Sequence, residues 1–158
     1  MDRETATLAL AVVTLLSVFA AVYPILPSNG EAFSELGVLG PGQKIGGYPT
    51  NVAVGQHFTL YVYVGNHQGE AEYYQVLVKE GNQATVVSNS TSANLPAVLA
   101  NSLVLGDNSS TIFPVTISMS TAGLNQRLIF ELWILNSTIS SFGYTGLWNQ
   151  IWINVTAT

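Results

Sequence analysis

A chain of 158 residues is long enough for one domain with a hydrophobic core. Apolar residues make up 48% and charged residues only 8%, and Arg3, Lys44, Lys79 and Arg127 are the only fixed cations against a formal charge of −5, which excludes a nucleic-acid surface. Cysteine is absent, which excludes disulfides, thiolate metal sites and a cysteine nucleophile.

Residues 5–26 read TATLALAVVTLLSVFAAVYPIL, without a charge. At ~1.5 Å per residue a helix of this length spans roughly the 30 Å hydrocarbon core of a bilayer. A cleaved signal peptide would use the small-residue site Val18-Phe19-Ala20 before Ala21. Such peptides begin with a cationic segment, whereas MDRET sets two acids against Arg3, and the apolar run exceeds a typical signal core. Residues 1–27 are therefore expected to form a retained transmembrane helix, ended by Pro24 and Pro27 with Tyr23 at the interface. Four Asn-x-Ser/Thr sequons follow, at Asn89, Asn108, Asn136 and Asn154. Three fall in expected turns and the fourth at an outward strand position, so the domain of residues 28–158 is expected outside the cell, with the N-terminus cytoplasmic and the bilayer as a partner.

Beyond Pro27 the continuous apolar run gives way to alternation. In FTLYVYV, Phe58, Leu60, Val62 and Val64 point one way and Thr59, Tyr61 and Tyr63 the other. Residues 65–69 are expected to turn the chain, with Asn66-His67 in a hairpin, and residues 73–79 to return as the next strand. Phe113, Val115, Ile117 and Met119 make a further inward row, as do Leu128, Phe130, Leu132 and Ile134, and finally Ile151, Ile153 and Val155. Shorter strands are expected at 34–39, 85–88 and 102–105, and a weak helical period runs through 96–103. Seven or eight short strands divided by Gly/Asn/Ser turns predict an all-β, Ig-like antiparallel β-sandwich behind one membrane helix.

Both histidines, His57 and His67, bracket a single strand. Ten residues of extended chain span about 30 Å, so within that strand they cannot share a metal. Glu70 and Glu72 form a candidate carboxylate pair, whose plainer reading is a solvated hairpin end. Asp107-Asn108 could touch Ca²⁺, but one acid makes a poor site and a turn fits better. No Gly-x-Ser-x-Gly elbow occurs, and GPGQKIGG lacks the Lys-Ser/Thr ending of a phosphate loop. No catalytic, metal or cofactor residues are expected. The outward aromatic residues Tyr61, Tyr63, Trp133, Trp148 and Trp152 are instead interface candidates, unless a loop, a glycan or a different strand phase covers them.

The stretches FSELGVLGPGQKIGGYPTNVAVGQ, VGNHQGEAEYYQVLV and LWNQIWINVT resemble the extracytoplasmic module of an archaeal membrane-protein family, the domain of unknown function numbered 1616. The likeness covers residues 33–156 and rests on a Leu-Gly-Pro-Gly turn, a Tyr-Pro-Thr-Asn-x-x-Val-Gly segment, an Asn-His turn and a terminal Trp-Ile-Asn-Val pattern. It implies an archaeal source and an Ig-like sandwich fused to membrane helices, and it supplies no activity. Members often carry several membrane helices before the module, where one apolar run is legible here. The expectation is a non-enzymatic, single-pass envelope protein that serves as an accessory or structural subunit of a larger assembly. A pilin-like filament subunit is the first alternative, although the cationic processing site before the helix is missing. A cell-surface ligand-binding module is the second.

Overall fold

The computed structural model describes residues 31–157, together with Ser17. The expected membrane helix in residues 1–27 lies outside the described residues. Among the described residues no helix is long and apolar enough to cross a membrane.

Eight strands are described: β1 (Phe33–Leu39), β2 (Asn51–Ala53), β3 (His57–His67), β4 (Glu72–Gly81), β5 (Ala97–Leu105), β6 (Ser109–Ser118), β7 (Gly123–Asn136) and β8 (Ser141–Thr156). They form a small sheet in the order β1-β3-β6 and a larger one in the order β2-β8-β7-β4-β5. The alternating rows explain why the two sheets face each other. Leu60, Val62 and Val64 of β3 join Val115 and Ile117 of β6 from one side. Tyr74, Val76 and Val78 of β4, Leu128, Phe130 and Leu132 of β7, and Ile151, Ile153 and Val155 of β8 meet them from the other, in one buried cluster. Removing each such side chain from water contributes about 1.5–3 kcal/mol, before the cost of ordering the chain. The phase expected for these strands is the phase observed, with Asn154 and Trp152 on the opposite side from Ile153.

Five expectations are corrected. Residues 65–67 do not turn: β3 continues to His67, and the bend falls at Gln68, Gly69 and Glu70. Nor is β3–β4 a hairpin, because β3 pairs with β1 and β6 whereas β4 pairs with β5 and β7. That bend carries the chain from one sheet to the other. Residues 85–88 form no strand beyond an isolated bridge from Ser88 to Thr91; they belong to a long loop. Residues 96–103 are not helical but make up most of β5, whose side chains alternate in exposure. Finally, one strand pair is parallel, β2 with β8, because the chain from β1 crosses through a glycine-rich turn to the far edge of the larger sheet. Gly40 begins that turn, its N–H donating to Lys44 O at 2.9 Å, and a Cβ there would collide with the carbonyl of Gly46.

Candidate functional site

Among the described residues, the outward face of the larger sheet holds most of the buried charge: Lys79, Arg127 and Glu131. β4 places Lys79 there and β7 places Arg127, Ile129, Glu131 and Trp133; Lys79, Arg127, Ile129 and Glu131 are all buried. What buries them is the 82–96 loop between β4 and β5. Lys79 Nζ donates to Glu131 Oε2 at 2.8 Å and to Ala93 O at 2.7 Å, while Ala93 N donates to Glu131 Oε1 at 2.6 Å. Trp133 Nε1 adds a third donor to that carboxylate, at 3.1 Å. Arg127 reaches Thr85 O at 2.5 Å, and Tyr144 OH donates to Ser88 O at 2.9 Å. Burial lowers the pKa of the Arg127 guanidinium. It also pushes the Tyr144 phenol up to about 12, with the Glu131 charge as a second cause.

These contacts place three interface candidates. Trp133 and Trp148 are half-buried, whereas Trp152 is 41% exposed. Arg127 lies over both later rings, 5.9 Å from the Trp148 centroid and 5.0 Å from that of Trp152. The other two candidates, Tyr61 and Tyr63, stand half-buried on the outer face of the small sheet. Tyr63 OH donates to Glu35 Oε2 at 2.7 Å, and that hydrogen bond is the main reason its pKa is raised.

The histidines are far apart in role as well as in position. His57 is exposed at the start of β3. His67 stacks on Phe33 with ring centroids 4.5 Å apart, and its Nε2 lies 3.4 Å from Glu35 Oε2 and its Nδ1 3.0 Å from Asn108 Oδ1. Asp107 accepts from Gly69 N with one oxygen and from Asn108 Nδ2 with the other. Asn108 has φ 53°, so Asp107-Asn108 forms the expected turn. Among the described residues no group of three or more His, Asp or Glu side chains could hold a metal ion. Burial, and secondarily the neighbouring charge of Glu70, raises the pKa of Glu72.

Two polar joints are not legible in the sequence. Asn66, fully buried, donates through Nδ2 toward the carbonyls of Glu70, Leu105 and Gly106, and its Oδ1 accepts from Gln68 N and Tyr74 OH. Ser34 then bonds the Tyr74 hydroxyl at 2.8 Å, so one amide ties both sheets and the β5–β6 turn together. Glu80 accepts from the backbone N–H of Ser120 and Thr121 and from the Ser120 hydroxyl, which pins the β6–β7 connection.

The sequon asparagines fall into two kinds. Asn89 and Asn136 are exposed, and Asn136 uses only its oxygen, accepting from Thr138 N and Ile139 N. Asn108 and Asn154 use their nitrogens, toward Asp107 Oδ2 and Asn51 Oδ1 respectively.

A model of the family DUF1616, a domain of unknown function, matches residues 27–141. The chain belongs to that family. No curated protein matches it. Among solved structures, the chain is similar to the CARDB domain of a Pyrococcus furiosus protein, crystallised with di-metal ions, at 12% identity and TM-score 0.49, over 79% of this chain and 89% of that one. It is also similar to a chain in the complex of zinc 2-glycoprotein and prolactin inducible protein from human seminal plasma, at 8% identity and TM-score 0.48, over 82% and 99% of the two chains. A β-glucosidase from Listeria innocua aligns at 9% identity and TM-score 0.47, over 80% of this chain but only 16% of the enzyme.

Proposed function

We propose that this DUF1616 member is a non-enzymatic, single-pass envelope protein whose Ig-like β-sandwich, residues 28–158, is held outside the cell by the helix of residues 1–27. In this reading it is an accessory or structural subunit of a larger membrane or surface assembly. The observation that carries the reading is the use made of charge. Lys79, Glu80, Asp107, Arg127 and Glu131 each clamp a loop or a turn, and such clamps leave little for acid–base chemistry. Apolar groups remain open instead: Phe33, Ile112 and Trp152 are all large and exposed, with Tyr63 directly opposite Ile112. Aromatic rings on an open sheet face are favoured anchors for a protein partner. The uncharged run at 5–26 and the sequons at Asn89, Asn108, Asn136 and Asn154 support the membrane attachment and the outward placement.

Photo-cross-linkers placed along residues 5–26 of the protein in its native membrane test this reading. Adducts with other envelope proteins support a subunit of a hetero-assembly. A ladder of this chain alone supports the filament, and lipid adducts alone a free surface module; either result removes the leading reading.

A further inference from the structure

A sheet edge is a row of unpaired N–H and C=O groups, and proteins blunt such edges unless they use them. Three of the four edges here are blunted. β2 has only three residues. β1 has its carbonyls capped: Leu36 O accepts from Asn149 Nδ2 at 2.9 Å and Val38 O from Tyr48 OH at 2.7 Å. β6 carries Pro114, which lacks an N–H. The fourth edge, β5, is nine residues long, AVLANSLVL, with no charge and no proline. Its outward Val98 and Val104 are 49% and 67% exposed.

β5 also reads almost the same in both directions about Asn101. Antiparallel pairing with a copy of itself sets Leu99 opposite Leu103, Ala100 opposite Ser102, Val98 opposite Val104, and Asn101 opposite its own mate. The regular ladder with β4 covers the centre of this palindrome, and the register shift opposite Val78/Lys79 touches only its first two residues. Asn101 is half-buried, and its amide makes no hydrogen bond among the described residues. It lines a groove of about 430 Å³ between β5 and β6, together with Leu103, Thr111 and Phe113.

We infer that β5 is the interface for a second copy of this chain. Two β5 strands pair antiparallel across a two-fold axis through Asn101 and join the two five-stranded sheets into one. The Asn101 amides satisfy each other at the axis, and the mate's Leu99 and Leu103 enter the groove against Phe113. The palindrome favours this occupant over an unrelated strand, because a closed isologous contact requires each residue to suit its own symmetry mate. The inference goes beyond the envelope-subunit reading and stands whether or not the domain is anchored.

The test uses the full chain purified in mild detergent, where the absence of native cysteine lets a single introduced thiol report. Under mild oxidation Asn101→Cys should convert most of the protein to a disulfide-linked dimer. Val104→Cys should not, because the two copies of residue 104 sit about 20 Å apart in this register. Ala100→Lys/Ser102→Lys, at exposed positions, sets lysine against lysine twice and should weaken self-association at least tenfold by sedimentation, with the melting temperature unchanged. Ala100→Glu/Ser102→Lys sets opposite charges face to face and should restore the association. Equal cross-linking at 101 and 104, a monomer at all concentrations, or no rescue by the opposite-charge pair overturns the inference.

Discussion

Lys79 on β4 and Glu131 on β7 form an ion pair 2.8 Å long with both side chains buried, and the backbone of Ala93 closes over both of them. This is the joint that fastens the 82–96 loop to the sheet. A buried pair is strained by desolvation, so its value to the fold lies in how completely the remaining donors and acceptors are satisfied. Ala93 N–H, Ala93 O and Trp133 Nε1 complete it.

Removing one partner should therefore cost far more than removing both. Glu131→Ala is expected to lower stability by about 3–5 kcal/mol, because it leaves a buried ammonium. Lys79→Met/Glu131→Leu should recover part of that loss, the remainder reflecting the Ala93 and Trp133 groups left without partners. Denaturant unfolding of the single and double variants checks it, and equal losses in both would show that the charge is not what matters.

The Asn66 joint predicts a different pattern. Asn66→Ala leaves the carbonyls of Glu70, Leu105 and Gly106 without their shared donor. The bond to Leu105 O is the buried one, and abandoning that carbonyl costs about 1–3 kcal/mol. Asn66→Asp keeps the oxygen that serves Gln68 and Tyr74 but turns a carboxylate oxygen toward three carbonyls, so at neutral pH it should be at least as damaging as alanine. A milder loss for aspartate in equilibrium unfolding would contradict the assignment of Nδ2 as the working atom.

Tyr144 sets an alkaline limit. Its phenol is held neutral to about pH 12 by burial and by Glu131, against an unfolded value near 10. A folded pKa raised above the unfolded one contributes stability that is fully present below pH 10 and is lost as pH rises toward 12. Stability should fall across that window, and Tyr144→Phe should flatten the slope without abolishing it, since Tyr63 and Tyr74 are also raised. Unfolding measured from pH 9 to 12 reads this, and an unchanged slope in Tyr144→Phe would count against it.

The sequence carries the inward rows plainly, because a strand with one face in the core must alternate, and Leu60, Val62, Val64, Ile151 and Ile153 do. The outer face of the larger sheet was harder to read. In RLIFELWIL apolar residues occupy both parities, with Ile129 and Trp133 facing away from the core. Such a run marks a strand covered on both sides, so the pattern held the signal of a covering loop but not its identity. Gly65 and Asn66 look like turn residues, which sets the expected bend before its place after His67. Gly65 in fact sits against Glu35, where a Cβ would clash, and Asn66 is a core hydrogen-bonding node. Pairings such as Asn66 to Leu105 or Lys79 to Ala93 depend on which sheet each strand joins, and periodicity does not specify that.

The tryptophans now divide. Trp133 bonds Glu131 beneath the loop, so Trp133→Ala should cost about 3 kcal/mol, toward the low end for a buried aromatic residue. Trp152, 41% exposed, makes no side-chain hydrogen bond to a buried group among the described residues, and its stacking with Arg127 is worth about 0.5–1 kcal/mol, so Trp152→Ala should cost clearly less. Thermal melting separates them. If Trp152→Ala destabilises as much as Trp133→Ala, Trp152 is part of the fold and not a free anchor for a partner.

The proposed outward, membrane-attached placement of the sandwich is most directly tested by one thiol. Ile45 is 88% exposed, and Ile45→Cys is the sole cysteine in the chain. In intact cells that make the protein, a membrane-impermeant maleimide should label it fully, and the labelled chain should stay with the membranes through an alkaline carbonate wash. Labelling only after the cells are opened, or release of the chain by carbonate, would contradict the account.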